Sequence, residues 1–150
     1  MLVGVISDTH GAVPAGVFDA FKDVAHIIHA GDIDSPRVLA ELETIAPVTA
    51  VAGNMDFGEV RRTLPDVTAI TVDGVRIAVA HKLPHLLKSQ AAASADVMVS
   101  GHTHVPSVTR TGPVLLVNPG SATRPRDSSL GTVGVIDTSG ERPDAHIVTL

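Results

Sequence analysis

Two pairs of side chains with metal-ligand chemistry stand one residue apart: Asp8 with His10, and His102 with His104. Each pair closely follows a short apolar run, Val3–Ile6 for the first and Val97–Val99 for the second. On extended backbone residues i and i+2 face the same side, so each pair can aim at one point beyond a strand end. Asp32 and Asn54 sit directly behind glycines, and His81 ends the run Val75–Ala80. The chain has no cysteine. Carboxylate, amide and imidazole ligands without thiolate suit Mn, Ni, Zn or Fe, and the set Asp8, His10, Asp32, Asn54, His81, His102 and His104 exceeds what one tetrahedral ion takes. Two divalent cations are the economical reading. Their four positive charges against two carboxylates leave a site that favours hydroxide and phosphate. In such centres the ions acidify a water whose hydroxide attacks phosphorus in line. Asp32 lies between the ligand groups in sequence and has two oxygens to share, which makes it the expected bridge. Asp32, Asn54 and His81 are the expected catalytic residues around the hydroxide.

These residues need a frame that brings them to one edge. Leu2–Ile6, Ala25–Ala30 and Val48–Ala52 read as strands. Helix signals separate them: one helix begins near Pro14 with Val17, Phe18 and Phe21 as its apolar face, and another at Ser35-Pro36 with Val38, Leu39 and Leu42. Alternation of strand and helix implies parallel pairing, which places sites outside the carboxyl ends of the strands. Asp73-Gly74 between Ile70–Val72 and Val75–Ala80 is a two-residue hairpin signal. A short helix is expected from Pro84, carrying Leu86, Leu87 and Ala91. Strands follow at Ser107–Arg110, Val114–Val117, Gly131–Asp137 and Ala145–Leu150, with a turn at Asn118-Pro119-Gly120-Ser121. No repeat or linker divides the chain, so 1–150 is expected to form one α/β domain with two sheets, parallel pairing early and antiparallel late.

Composition excludes several classes. A net charge of −5 and only three aromatic residues (Phe18, Phe21, Phe57) provide neither a basic stripe nor a stacking platform, which makes nucleic acid an unfavoured partner. The apolar start runs directly into Asp8, without the length of a membrane span, so a cytoplasmic location and no membrane partner are expected. Ser7-Asp8-Thr9-His10-Gly11 has no glycine-rich loop with lysine, which argues against a nucleotide switch.

In order, Asp8-Thr9-His10, Gly31-Asp32, Gly53-Asn54, His81 and Gly101-His102-Thr103-His104 resemble the motifs of the calcineurin-like metallophosphoesterase superfamily. The length, Asn118–Ser121 and Pro125-Arg126 are similar to its small YfcE-like phosphodiesterase branch. The resemblance implies a four-layer α/β/β/α sandwich with two mixed sheets. It implies one metal on Asp8, His10, Asp32 and His104, and a second on Asp32, Asn54, His81 and His102, manganese being the first choice. The expected activity is phosphodiester hydrolysis of small phosphate esters. Two departures stand out. Where many members carry a general-acid histidine after the asparagine, this chain has Met55, which cannot donate a proton. Where glycine commonly follows the histidine at 81, it has Lys82.

Lys82, His85 and Arg126 are the expected substrate contacts. Asp34 and Asp56 each follow a ligand by two residues, and either orient a histidine or cap a turn. His26, His29 and His146 have no partner at ligand spacing and read as structural or exposed. The other function to weigh is an interaction scaffold, since the retromer subunit resembles this fold. The full ligand set argues for the enzyme. Oligomeric state stays open, with self-association through a C-terminal sheet edge as one outcome.

Overall fold

The computed structural model describes residues 1–127 and 130–150. In chain order the elements are β1 (Leu2–Ile6), α1 (Gly16–Ala20), β2 (His26–His29), α2 (Pro36–Glu43), β3 (Val48–Ala50), α3 (Gly58–Thr63) and β4 (Val67–Val72). They continue with β5 (Val75–Ala80), α4 (Leu83–Leu87), a 3-10 turn (Gln90–Ser94), β6 (Val97–Val99), β7 (Ser107–Thr111), β8 (Val114–Asn118), β9 (Thr132–Asp137) and β10 (Asp144–Thr149). One sheet has the order β10-β9-β1-β2-β3 and the other β4-β5-β6-β8-β7. β1, β2 and β3 pair in parallel, as the strand and helix alternation requires. The second sheet differs from expectation. Its centre, β5-β6-β8, is also parallel, and only its margins are antiparallel hairpins. Each sheet therefore sends parallel carboxyl ends toward one edge.

The two sheets face each other across a core of Val3, Val5, Ile28, Val51, Ile77, Val79, Val97, Val99, Leu115, Val117 and Ile136. The outer face of the first sheet is covered by Val17 and Phe21 at α1, Val38 and Leu42 of α2 and Val60 of α3. Leu86 of α4 packs with Ala78, Ala80 and Met98 on the outer face of the second. These are the four layers of the α/β/β/α sandwich. Gly4 lets Phe21 lie flat on β1, since a Cβ there would stand 2.9 Å from the ring. Ser35 caps α2 by accepting from the Arg37 N–H at 3.3 Å, and Pro36 fills the first helical position. Phe18 is 41% exposed rather than part of the α1 face, because a five-residue helix offers the core too narrow a stripe. The helix from Pro84 is likewise short: Leu87 is exposed and Ala91 belongs to the separate 3-10 turn. Among the described residues no helix is long and apolar enough to cross a membrane.

Candidate metal centre

The ligand-type residues follow the carboxyl ends of β1, β2, β3, β5 and β6, where the chain leaves both sheets. They do not continue the strands. Asp8, His10, Asp32, Asp34, His102 and His104 all have positive φ, between 46° and 70°. The side chains at i and i+2 converge because the backbone passes through left-handed turns at alternate positions, and not because of the pleat of extended chain. The turns remain tied together. The Asp8 N–H donates to Gly31 O, His10 N–H to Asp32 O and Gly11 N–H to Ile33 O at 2.9–3.1 Å, and Gly101 N–H donates to His81 O at 2.9 Å. These bonds extend the sheet ladders to the site.

Two glycines are needed here for space. A Cβ on Gly53 would lie 2.1 Å from Asp32 Oδ1, and one on Gly101 would lie 2.0 Å from Ser7 Oγ and 2.7 Å from Asp8 Oδ2. The carboxylates press directly on bare backbone.

Each inner side chain is held by one polar atom and presents the other. Asp8 Oδ2 accepts from Ser7 Oγ at 2.6 Å and from the His102 N–H at 3.0 Å, leaving Oδ1 without a hydrogen-bond partner. His10 Nδ1 meets Asp34 Oδ2 at 3.0 Å, His81 Nδ1 meets Ala30 O at 2.7 Å, and His104 Nδ1 meets Arg124 O at 2.7 Å. Since a carbonyl only accepts, Nδ1 of His81 and His104 carries the proton, and Nε2 in each is a free lone pair in the neutral ring. Nε2 of His10 and of His81 is buried with no hydrogen-bond partner. Asp8 Oδ1 stands 3.0 Å from His104 Nε2 and 3.9 Å from His81 Nε2, while Asp32 Oδ2 is 3.3 Å from His81 Nε2. Lone pairs thus face lone pairs across a buried gap. That arrangement is unfavourable unless protons or cations fill it.

Among the described residues, two clusters bring metal-ligand atoms within 4.8 Å of one another: Asp8, His10 and His104, and Asp8, Asp32 and His81. The imidazoles pair in the same sense, His10 with His104 at 5.5 Å between ring centres and His81 with His102 at 5.2 Å. His102 Nδ1 and Asn54 Oδ1 are 3.1 Å apart, so all seven residues converge. Asp8 belongs to both clusters, a place the sequence suggested for Asp32. The donor set and its orphaned atoms fit divalent cations, with a carboxylate fixing the His10 ring from behind.

The charged groups of the site are coupled. Burial pushes the Asp32 carboxyl up, but contacts from His81 and the Met55 N–H more than offset it, and the group titrates below its ordinary value. Burial pulls His81 down, yet the Asp32 contact and the Ala30 carbonyl raise it above the usual imidazole value. His102 is lowered, first by burial and then by the charges of His81 and Lys82. His29 is buried and lowered to about 3, by desolvation first and then by His81. Gly31 N–H donates to its Nδ1 at 3.2 Å and its Nε2 meets Thr9 Oγ1 at 2.9 Å, so it is a neutral strut below the site.

Asp34 and Asp56 divide the two roles considered for them. Asp34 orients His10. Asp56 accepts three backbone N–H groups, from Ile33 and Asp34 at 2.8 Å and from Gly53 at 2.7 Å, and so clamps the loop after β3 to the loop after β2. Three supports were not visible in the sequence. Ser121 Oγ donates to Asp8 O at 2.8 Å, Thr123 Oγ1 to Thr9 O at 3.0 Å, and Asn118 Nδ2 to Gly101 O at 3.0 Å. The turn after β8 is a brace that grips the first and last ligand loops together.

Lys82 and His85 line a cleft of about 380 Å³ that also contains Asn54, Arg61, Asp66 and His81. Arg126 lies elsewhere, exposed and outside the described clefts, with its backbone N–H 3.4 Å from His104 O. Met55 is 56% exposed, so a thioether stands at the rim behind Asn54.

The profile of the calcineurin-like phosphoesterase superfamily domain matches residues 1–141. A probable metallophosphoesterase of Methanothermobacter thermautotrophicus is 41% identical over 160 residues, covering 99% of this chain and 92% of its own. An archaeal phosphodiesterase of solved structure superposes with a TM-score of 0.80 at 26% identity, covering all of both chains. The phosphoesterase YfcE of E. coli gives 0.72 at 25% identity over 92% of this chain and 89% of its own. Zinc-bound Vps29 of Entamoeba histolytica gives 0.78 at 21% identity over 99% of each, a likeness of fold alone. With the sandwich, the convergent ligand loops and these relatives in agreement, the chain belongs to the calcineurin-like phosphoesterase superfamily and is a metal-dependent hydrolase of phosphate esters.

Proposed function

We propose that the chain is a single-domain, two-metal phosphodiesterase acting on small phosphate esters, with Asp8, His10, Asp32, Asn54, His81, His102 and His104 as ligands. One observation carries the reading: buried, unpartnered Asp8 Oδ1, His10 Nε2 and His81 Nε2 belong to two ligand clusters that share Asp8. When bound, divalent cations, manganese first among them, would supply Lewis acidity that acidifies water and polarises a phosphoryl group. The protein's own part is positional. Backbone ladders fix the ligand loops, Asp34 orients His10, and Asp56 holds the Asn54 loop at a set distance from Asp32. Lys82 and His85 place cationic or hydrogen-bonding heads on the wall of the cleft, where a phosphate ester would lie. Because Met55 donates no proton, good leaving groups should be cleaved best.

Hydrolysis of bis(p-nitrophenyl) phosphate by metal-stripped protein, before and after addition of Mn²⁺, tests the reading. Turnover that depends on the metal is expected. Bound metal with no turnover under Mn²⁺, Ni²⁺ or Zn²⁺ would refute it. Metal content of Asp8→Asn and Asp32→Asn decides which carboxylate bridges, since loss of the bridge removes both ions.

A further inference from the structure

The geometry points to a second, carbon-lined groove beside the metal centre as the seat of the substrate's organic arm, and to an arm of nucleoside type: hydroxyl-rich next to phosphorus, with a flat ring beyond. This inference rests on the phosphoesterase reading and names the kind of ester the site would take.

The groove arises from the topology. In the second sheet β4 and β5 are roofed by α4 and the 3-10 turn, whereas among the described residues the outer face toward β8 and β7 is open. Strand register sets a row of Met98, Leu116 and Thr109 across that face. One step nearer the site, on the same side of the pleat, stand Ser100, Asn118 and Ser107. Leu83 and Pro84 form one wall, and His102 with Lys82 closes the end that meets the metal centre. The volume is about 380 Å³, similar to that of the first cleft.

Its polarity is graded along its length. Next to His102 the groove offers the Ser100 and Ser107 hydroxyls, Asn118 being already engaged with Gly101, Thr103 and Gly120; farther out it offers Met98 and Leu116, with Leu83 and Pro84 beside them. A phosphate held at the ligand loops would therefore place its first few atoms among hydrogen-bonding groups and the next ones on carbon. A glycerol-like arm would satisfy only the first part. A sugar carrying a planar base would satisfy both, because a thioether and aliphatic side chains pack well on a ring face. The two clefts share Lys82, so a diester at the metals would direct one arm into each.

Calorimetric titration of Mn²⁺-loaded protein with thymidine 5′-monophosphate, glycerol 3-phosphate and inorganic phosphate tests this, the two esters being monoesters that diester cleavage would leave. Thymidine monophosphate is expected to bind tenfold or more tightly than glycerol phosphate. Leu116→Asn removes apolar floor, and Thr109→Gln obstructs the groove from an exposed position on β7. Both should erase most of that preference while leaving phosphate binding unchanged. Equal affinities for the two esters in the native protein, or a preference that survives in both variants, would overturn the inference. Selective binding without Mn²⁺-dependent hydrolysis of bis(p-nitrophenyl) phosphate would overturn the hydrolase reading and leave the groove standing. Hydrolysis with unselective binding would overturn the groove alone.

Discussion

Asp56 touches no expected ligand atom, yet the geometry makes it a position on which both the fold and the metals depend. Its buried carboxylate accepts from Ile33, Asp34 and Gly53, the backbone just after Asp32 and just before Asn54. In Asp56→Ala three N–H groups lose their acceptor. At about 1–3 kcal/mol for each buried donor left unsatisfied, and with some relief from entering water, the loss should be about 3–6 kcal/mol. That is a large part of the stability of an ordinary domain. Asp56→Asn separates charge from shape. The amide oxygen can still accept from Ile33 and Asp34, but the NH₂ group then faces the Gly53 N–H, donor against donor. One bond and the charge assistance are lost, for about 2–3 kcal/mol. Urea unfolding in chelator, where no metal contributes, measures both variants, and Mn²⁺ titration measures what the loosened Asn54 loop does to affinity. A loss below about 1 kcal/mol in Asp56→Asn, with unchanged Mn²⁺ affinity, would refute the claim that this carboxylate ties the two loops.

Asp34→Ala should preserve the fold and weaken Mn²⁺ binding by about 10–100-fold, because His10 loses the partner that fixes its tautomer and direction; dye-competition titration reads the change directly. Gly53→Ala drives a methyl group into both the carboxylate and the backbone N–H of Asp32, so metal binding should collapse and the urea midpoint should fall with it. His29 supplies a pH effect with a defined sign. Its folded pKa of about 3 lies below the ordinary 6.5, so the unfolded chain takes up a proton that the folded chain refuses. Its contribution is complete above pH 6.5 and is lost progressively as pH falls from there toward 3, reaching about 2 kcal/mol at pH 5. Urea midpoints of the metal-free protein between pH 7 and 5 should fall less steeply in His29→Gln than in the native chain; parallel slopes would count against the strut. Because the raised pKa of His81 means that a proton competes for Nε2, metal affinity should weaken as pH falls.

Much of the site was legible because its ligand types follow apolar runs at short, repeated spacings. The run before Asp8 and the glycines before Asp32, Asn54 and His102 are local features, and local features survive translation into structure. Phe18 and Leu87 were misjudged for the same reason that short helices mislead: two turns of periodicity do not reveal where the helix stops. α3 escaped notice since Gly58–Thr63 has one buried residue, Val60, and no apolar repeat. The parallel centre of the second sheet was hidden because β6 and β8 are joined through the β7 hairpin, which reads as antiparallel in sequence. Asp56, Ser121 and Thr123 act across separations of more than twenty residues, and no spacing rule connects them to their acceptors or donors. The glycines were anticipated as turn formers, whereas the constraint at Gly53 is Asp32, and at Gly101 the Ser7 hydroxyl with the Asp8 carboxylate, pressed against them.

The left-handed backbone at Asp8, His10, Asp32, Asp34, His102 and His104 has a cost that falls on the fold itself. Non-glycine residues in that region are strained by about 1 kcal/mol or more each, with aspartate at the gentler end. Glycine would occupy every one of these positions more comfortably. Replacing an exposed residue of the set, His102, by glycine should therefore yield a metal-free protein at least as stable as the native one. The chain is not at its own stability optimum: strained turns carry the groups proposed to bind metal, and cation binding would be the compensation that makes this sequence preferable to a calmer one.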